Sequence, residues 1–161
     1  MKMRELFNTS FGLKLNAQGV VREVMNFMQA DESYSYKVII GSDSLLLRDN
    51  NADFVTAVVV HRVGNGGRYF WRRAELKKFY TLRDRIINEV LLSLEVAQDV
   101  LRELKMANAK NYDFEIHVDI GENGETKAMM QEVVGMIRAH NFEAKTKPDS
   151  YAASKVADRH V

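Results

Sequence analysis

The run YKVIIGSDS at residues 36–44 constrains this chain more than any other stretch. Its apolar and β-branched residues are nearly continuous where a half-exposed strand would alternate, so it reads as a strand buried on both faces. Such a strand needs cover on two sides, which points to a sheet with helices packed on its faces. DFVTAVVVHRV reads as a second strand, VGNGG as a turn and RYFWRRAEL as a third strand. Residues 36–76 are therefore expected to form an antiparallel three-strand meander.

Helices and strands alternate after the meander. A long helix is expected from near Thr81 to about Met106, with Ile86, Ile87, Val90, Leu94, Ala97, Leu101 and Leu104 on one face at the helical period. NYDFEIHVDI alternates Phe114, Ile116, Val118 and Ile120 against polar residues and reads as a fourth strand. GENGET is a turn leading into a helix over Lys127–His140, FEAKTK a short fifth strand, and DSYAASKVADRHV a terminal helix after Pro148, the sole proline. Ahead of the meander, Asn16 is a plausible N-cap for a helix carrying Val20, Val21, Val24, Met25 and Met28, closed by a loop at Asp31-Glu32-Ser33. The expectation is one α/β domain over residues 1–161, with a helical extension at 1–35 and a core at 36–161.

The absence of cysteine excludes disulfides, thiolate metal sites and a cysteine nucleophile, and fits a cytoplasmic protein. No apolar run approaches the roughly 20 residues of a membrane span, and the opening MKMRELFNTSFGLKL lacks the apolar core of a secretion signal. A net charge of +1 says little about partners, because a balanced total can hide a polarised surface.

The chemistry is carried by carboxylates at element ends. Asp43 ends the first strand in GSDS, where small neighbours leave room for ions and substrate. Asp119 holds the same kind of place in HVDIGENG at the end of the fourth strand. In open α/β sheets ligands gather at the carboxyl ends of parallel strands. If strands one and four are parallel neighbours, the two aspartates face each other and need a cation such as Mg²⁺ or Mn²⁺ to settle their repulsion. On the long helix, Glu89 falls at the margin of the buried face while Glu95 points nearly opposite, at about 100° per residue. Asp158 in the last helix is a fourth candidate, with Asp149 behind it. Any one aspartate after a strand is more often a turn or helix cap, and Glu89 alone reads as a solvated boundary residue; four carboxylates at these positions are a sharper signal. His117 and His160 lie near the carboxylates in sequence and could assist proton transfer, although His117 reads more simply as a structural strand residue. His61 and His140 suggest no site.

Between Arg62 and Arg85 the chain carries Arg62, Arg68, Arg72, Arg73, Lys77, Lys78, Arg83 and Arg85 against only Glu75 and Asp84, with Tyr69, Phe70 and Trp71 interleaved. That pairing suits phosphate contacts with base stacking, chiefly through Arg68, Arg72, Arg73, Lys77 and Lys78. It equally suits a third strand lying at the sheet edge and protected from aggregation by charge.

The stretches IIGSDS, GGRYFW, NEVLLSLEVA, HVDIGENGETK and KPDSYAASKVADRH resemble the ribonuclease H-like family, most closely its bacterial YkuK-type branch. The resemblance implies a mixed five-stranded sheet in the order 3-2-1-4-5 with strand 2 antiparallel. It implies metal-dependent hydrolysis of RNA, DNA or hybrid phosphodiesters by a two-metal mechanism. Carried over by motif, the acids that would hold the ions and act in catalysis are Asp43, Glu89, Asp119 and Asp158. The rival expectation is a nucleic-acid-binding module that keeps the fold without turnover. Phosphate transfer on a small nucleotide is a third, for which no glycine-rich phosphate loop is visible.

Overall fold

A computed structural model describes residues 6–122 and 124–161, apart from the side chains of Ala153 and Ser154. Residues 1–5 of the N-terminal extension, and Asn123 in the GENGET turn, lie outside the described residues. The chain forms β1 (Phe7–Thr9), β2 (Lys14–Leu15), α1 (Ala17–Ala30), β3 (Tyr36–Leu46), β4 (Ala52–Arg62) and β5 (Gly67–Leu76). There follow α2 (Leu82–Met106), β6 (Tyr112–His117), α3 (Met130–Ala139) and β7 (Glu143–Lys145), then a π-helical turn at Ala152–Ala157 that runs into α4 (Asp158–His160).

Local chemistry sets several boundaries. The Asn16 side chain accepts from the Gly19 N–H at 2.8 Å and starts α1, and the Thr81 hydroxyl accepts from the Asp84 N–H at 3.1 Å and starts α2. The tight β4–β5 turn needs left-handed backbone at Gly64 and Gly66, both with φ +82°, which glycine adopts without steric cost. The helix expected from Lys127 opens with a 3-10 turn at Lys127–Met129 before α3 begins.

The sheet has seven strands rather than five, in the order β2-β1-β5-β4-β3-β6-β7. The five expected strands occupy the expected order, with β3–β6 and β6–β7 parallel and β4 antiparallel to its neighbours. The N-terminal extension is therefore more than a helix: its hairpin β1–β2 adds to the meander, with Asn8 opposite Trp71 and Thr9 opposite Phe70. That pairing covers the middle of β5 at Phe70 and Trp71, while Arg73–Leu76 have no strand partner on their outer side among the described residues, so edge protection still accounts for part of its charge. Two further corrections bear on the site. Asp43 does not end its strand, because β3 continues to Leu46 through pairing with β4. The fourth strand stops at His117, so Asp119 sits in the turn just beyond it.

The sheet is covered on both faces, as the continuous apolar character of β3 demands. On one side Val38, Ile40, Val58, Val60, Phe70 and Ile116 pack with the buried faces of α1, α2 and α3. On the other, Ile39 and Val59 meet Ala152, and Val55 and Ala57 meet Ala157. The C-terminal helical segment thus lies on the face opposite α2. Between them these two elements bring acids to the sheet from both sides.

Candidate functional site

Parallel pairing of β3 with β6 puts Gly41 beside His117, where the ladder ends; Asp43 and Asp119 each lie two residues farther on, near enough for their charges to interact. Alternation along β3 then sorts its side chains. Ser42 and Ser44 face α2: the Ser42 hydroxyl lies 2.8 Å from that of Thr56 and 2.7 Å from that of Ser93 on α2, and the Ser44 hydroxyl donates to Glu89 Oε2 at 2.6 Å. Asp43 lies on the other face, toward the C-terminal segment, where its carboxyl shares a hydrogen bond with Asp158. Two carboxyl groups can share such a bond only if one of them carries a proton.

The electrostatics follow from acids near the point where β6 stops: Asp43 feels Asp119 and Asp158, and Glu89 feels Asp43 and Asp119. Burial, the hydrogen bond with Asp158 and the charges of Asp119 and Asp158 push Asp43 up to about 7, against the Ser44 N–H, which favours the carboxylate. Glu89 is only 7% exposed, and burial with the charges of Asp43 and Asp119 pushes it up to about 8, opposed by the Ser44 hydroxyl and Arg85. Asp119 is balanced differently. Lys147 Nζ stands 3.1 Å from its Oδ1, yet that oxygen is buried and has no hydrogen-bond partner. The two observations are compatible: the ammonium is close enough for ionic attraction but not aligned to donate. Glu95 and Asp149, the competing acids, are both exposed.

The C-terminal segment is held in place by a buried polar network. His117, 1% exposed, has Nε2 2.9 Å from Glu115 Oε1 while its Nδ1 accepts from the Ala152 N–H at 3.2 Å, which fixes the neutral Nε2–H tautomer. Its ring stands edge-on to Tyr151 at 4.7 Å, and the Tyr151 hydroxyl lies 2.9 Å from His61 Nδ1. Farther along, His160 stacks on Trp71 at 3.9 Å and its carbonyl accepts from Arg73. These histidines seat the helix that carries Asp158, so His117 fills the structural reading. His140 closes α3 against the Met136 carbonyl, away from the acids.

Replacing His117 by Ala leaves the Glu115 carboxylate and the Ala152 N–H without their imidazole partner, and about 2 kcal/mol of stability should go. Amide exchange should speed up over Ala152–Val161 well beyond any change in α1. An equal change in both would show that His117 stabilises the domain generally without anchoring the segment.

The structure divides the expected basic row. Arg68 pairs with Glu23 at 3.8 Å, Arg72 lies over the Phe7 ring at 5.0 Å, and Arg73 pairs with Asp53 at 3.2 Å. Arg72 and Arg73 occupy opposite faces of β5, as strand alternation requires. Lys77 and Lys78 are exposed just beyond β5, at the end of the sheet toward which Asp43 and the last residues of β3 extend. Three contributors carried little sequence signal. Ser44 was visible only as a small neighbour in GSDS, Arg85 only as the last cation of the basic stretch, and Lys147 not at all.

The family described as Ribonuclease H-like matches residues 19–161. The chain is 33% identical over 165 residues to the Bacillus subtilis (strain 168) protein named "Uncharacterized protein YkuK", covering 96% of this chain and 95% of that one. No solved structure gives a significant match. Among the described residues, no helix is long and apolar enough to cross a membrane. A match through the whole meander, the acid-bearing α2 and the C-terminal segment, on a sheet with β3 parallel to β6, makes this chain a member of the ribonuclease H-like family, in its YkuK-type branch.

Proposed function

We propose that this protein is a divalent-metal-dependent nuclease that hydrolyses phosphodiester bonds of RNA, DNA or their hybrid in the cytoplasm. One observation supports the reading: Asp43 lies within electrostatic reach of Glu89, Asp119 and Asp158, acids from four separate segments, and Lys147 stands beside Asp119. A nuclease centre needs such a cluster, and a purely structural core would avoid it. The donor set is all carboxylate oxygen, which suits Mg²⁺ or Mn²⁺, and the buried Asp119 Oδ1 without a hydrogen bond is a ligand atom with capacity to spare. Such ions, two in the family mechanism, would activate water near neutral pH and stabilise the attacking and leaving oxygens.

The protein's own residues have distinct parts. Asp43 would supply the centre from β3, and Asp119 from the turn that follows its parallel neighbour β6. Glu89 supplies the α2 side, oriented by Ser44, and Asp158 the opposite side, carried by the segment that His117 anchors. Lys77 and Lys78 are exposed cations at this end of the sheet and suit the phosphates of a bound strand. Arg68, Arg72 and Arg73 have intramolecular partners, so any contribution they make to binding is smaller.

The test is purified protein with Mn²⁺ against labelled single-stranded, duplex and hybrid substrates. Cleavage of at least one, stopped by chelation, is expected; no cleavage of any would remove the nuclease reading. A non-catalytic nucleic-acid-binding module is the second reading. It is favoured by one observation: among the described residues, no group of three or more His, Asp or Glu is placed so that it could hold a metal ion. Calorimetry separates the two, because the nuclease binds Mn²⁺ in the absence of nucleic acid and the module binds nucleic acid without it.

A further inference from the structure

Lys147 has a fixed root and a free arm. Its backbone N–H donates to the Ile120 carbonyl at 2.8 Å, which ties the residue to the turn carrying Asp119. Gly121 lets it lie so close: a Cβ on Gly121 would stand 3.1 Å from the Lys147 Cβ. The side chain beyond is 55% exposed, and its ammonium reaches 3.1 Å from Asp119 Oδ1 without hydrogen-bonding it. A half-exposed cation held by charge without an aligned hydrogen bond is weakly held.

We propose that Lys147 is the exchangeable counter-cation of Asp119: it neutralises this acid while the centre is empty, is displaced when a divalent ion binds, and then contacts a phosphate of the substrate. The inference rests on the nuclease reading and adds to it a substrate-positioning residue. Displacement follows from charge. A divalent ion is attracted to the four acids more strongly than an ammonium, and the two cations cannot share the position beside Oδ1 without repulsion. Capture of phosphate follows from reach. The freed ammonium remains rooted in the Ile120–Gly121 turn, next to the centre where the scissile phosphate must sit, and the substrate supplies the anion it has lost.

The experiment compares the parent with Lys147→Met and Lys147→Arg. Calorimetric titration with Mn²⁺ alone should show about three- to tenfold tighter binding in Lys147→Met, since the ion no longer displaces a charge. Lys147→Arg, which keeps the charge, should stay near the parent. Salt dependence of single-stranded RNA binding, measured with Ca²⁺ in place of Mn²⁺ to limit cleavage, should flatten by about 0.7 in Lys147→Met, the loss of one phosphate contact. Parent affinity for Mn²⁺ in Lys147→Met would overturn the counter-cation while leaving the metal centre standing. Tighter Mn²⁺ with an unchanged salt slope would overturn the phosphate contact. No Mn²⁺ binding by the parent would remove both this proposal and the nuclease reading beneath it.

Discussion

Asp43→Asn should cut Mn²⁺-dependent cleavage by about a thousandfold while leaving the metal-free protein at least as stable as the parent. A thousandfold corresponds to about 4 kcal/mol of transition-state stabilisation, within the several kcal/mol that an ion supplies by neutralising charge on a phosphoryl oxygen. Asparagine keeps the shape of Asp43 and can donate to Asp158, so the contact between β3 and the C-terminal segment survives without a shared proton. Its neutrality also removes the repulsion that Asp119 and Asp158 exert on Asp43. Activity and melting temperature should therefore move apart. Substantial cleavage by the variant would take Asp43 out of the centre, and a marked fall in melting temperature would make it a structural acid.

The metal-free protein should lose stability as pH rises from about 5 to 8.5. Asp43 is raised from 3.8 to about 7 and Glu89 from 4.5 to about 8 by burial and neighbouring charge. Between the unfolded and folded values the native protein binds more protons than the unfolded chain, so unfolding becomes easier with each step upward in pH. The stability is fully present below about pH 4 as far as these two acids are concerned, and is lost as pH passes through about 7 to 8. Partial exposure of Asp43 and mutual influence between the acids reduce the simple sum, leaving a loss on the order of 2–5 kcal/mol. Melting curves at successive pH values give the slope directly. Saturating Mn²⁺ should flatten it at the alkaline end, because the ion replaces protons at the same oxygens. The double variant Asp43→Asn, Glu89→Gln should flatten it without metal. A parent profile already flat over this range would show that both acids ionise freely.

Which parts of this design could be read from the sequence follows from the range of the forces involved. The α1 start is written in one residue, Asn16, because a cap acts within a single turn. The meander was legible because apolar strands and a GNGG turn act over neighbouring residues. Placement of Glu89 at the margin of the buried face and of Glu95 nearly opposite needed only the helical period, while the burial of Glu89 came from packing against β3. By contrast, β1 and β2 have three and two residues, too few to show a period, and β5 selects them through tertiary pairing. The run of β3 past Asp43 depends on β4 as its partner. The pairing of Lys147 with Asp119 depends on the parallel alignment of β6 with β7, which brings the segments after the two strands together, and has no local mark. The histidines were ambiguous for a related reason: what distinguishes His117 is the Ala152 N–H, which reaches it only after the C-terminal segment has docked.

The pairing of β3 with both β4 and β6 also imposes an order of events on the newly made chain. The β3–β4 and β4–β5 ladders join segments adjacent in sequence, while the β3–β6 ladder joins strands separated by the whole of β4, β5 and α2. Closing that long loop is entropically the later step. Asp158 arrives later still during synthesis, since it follows β6, α3 and β7 in the chain. A ribosome-bound or half-folded intermediate can thus own a complete hairpin meander and a formed α2 while its acids remain scattered. For a protein proposed to cut nucleic acid, that timing is a safeguard: the unfinished chain emerges beside RNA with no assembled centre to attack it.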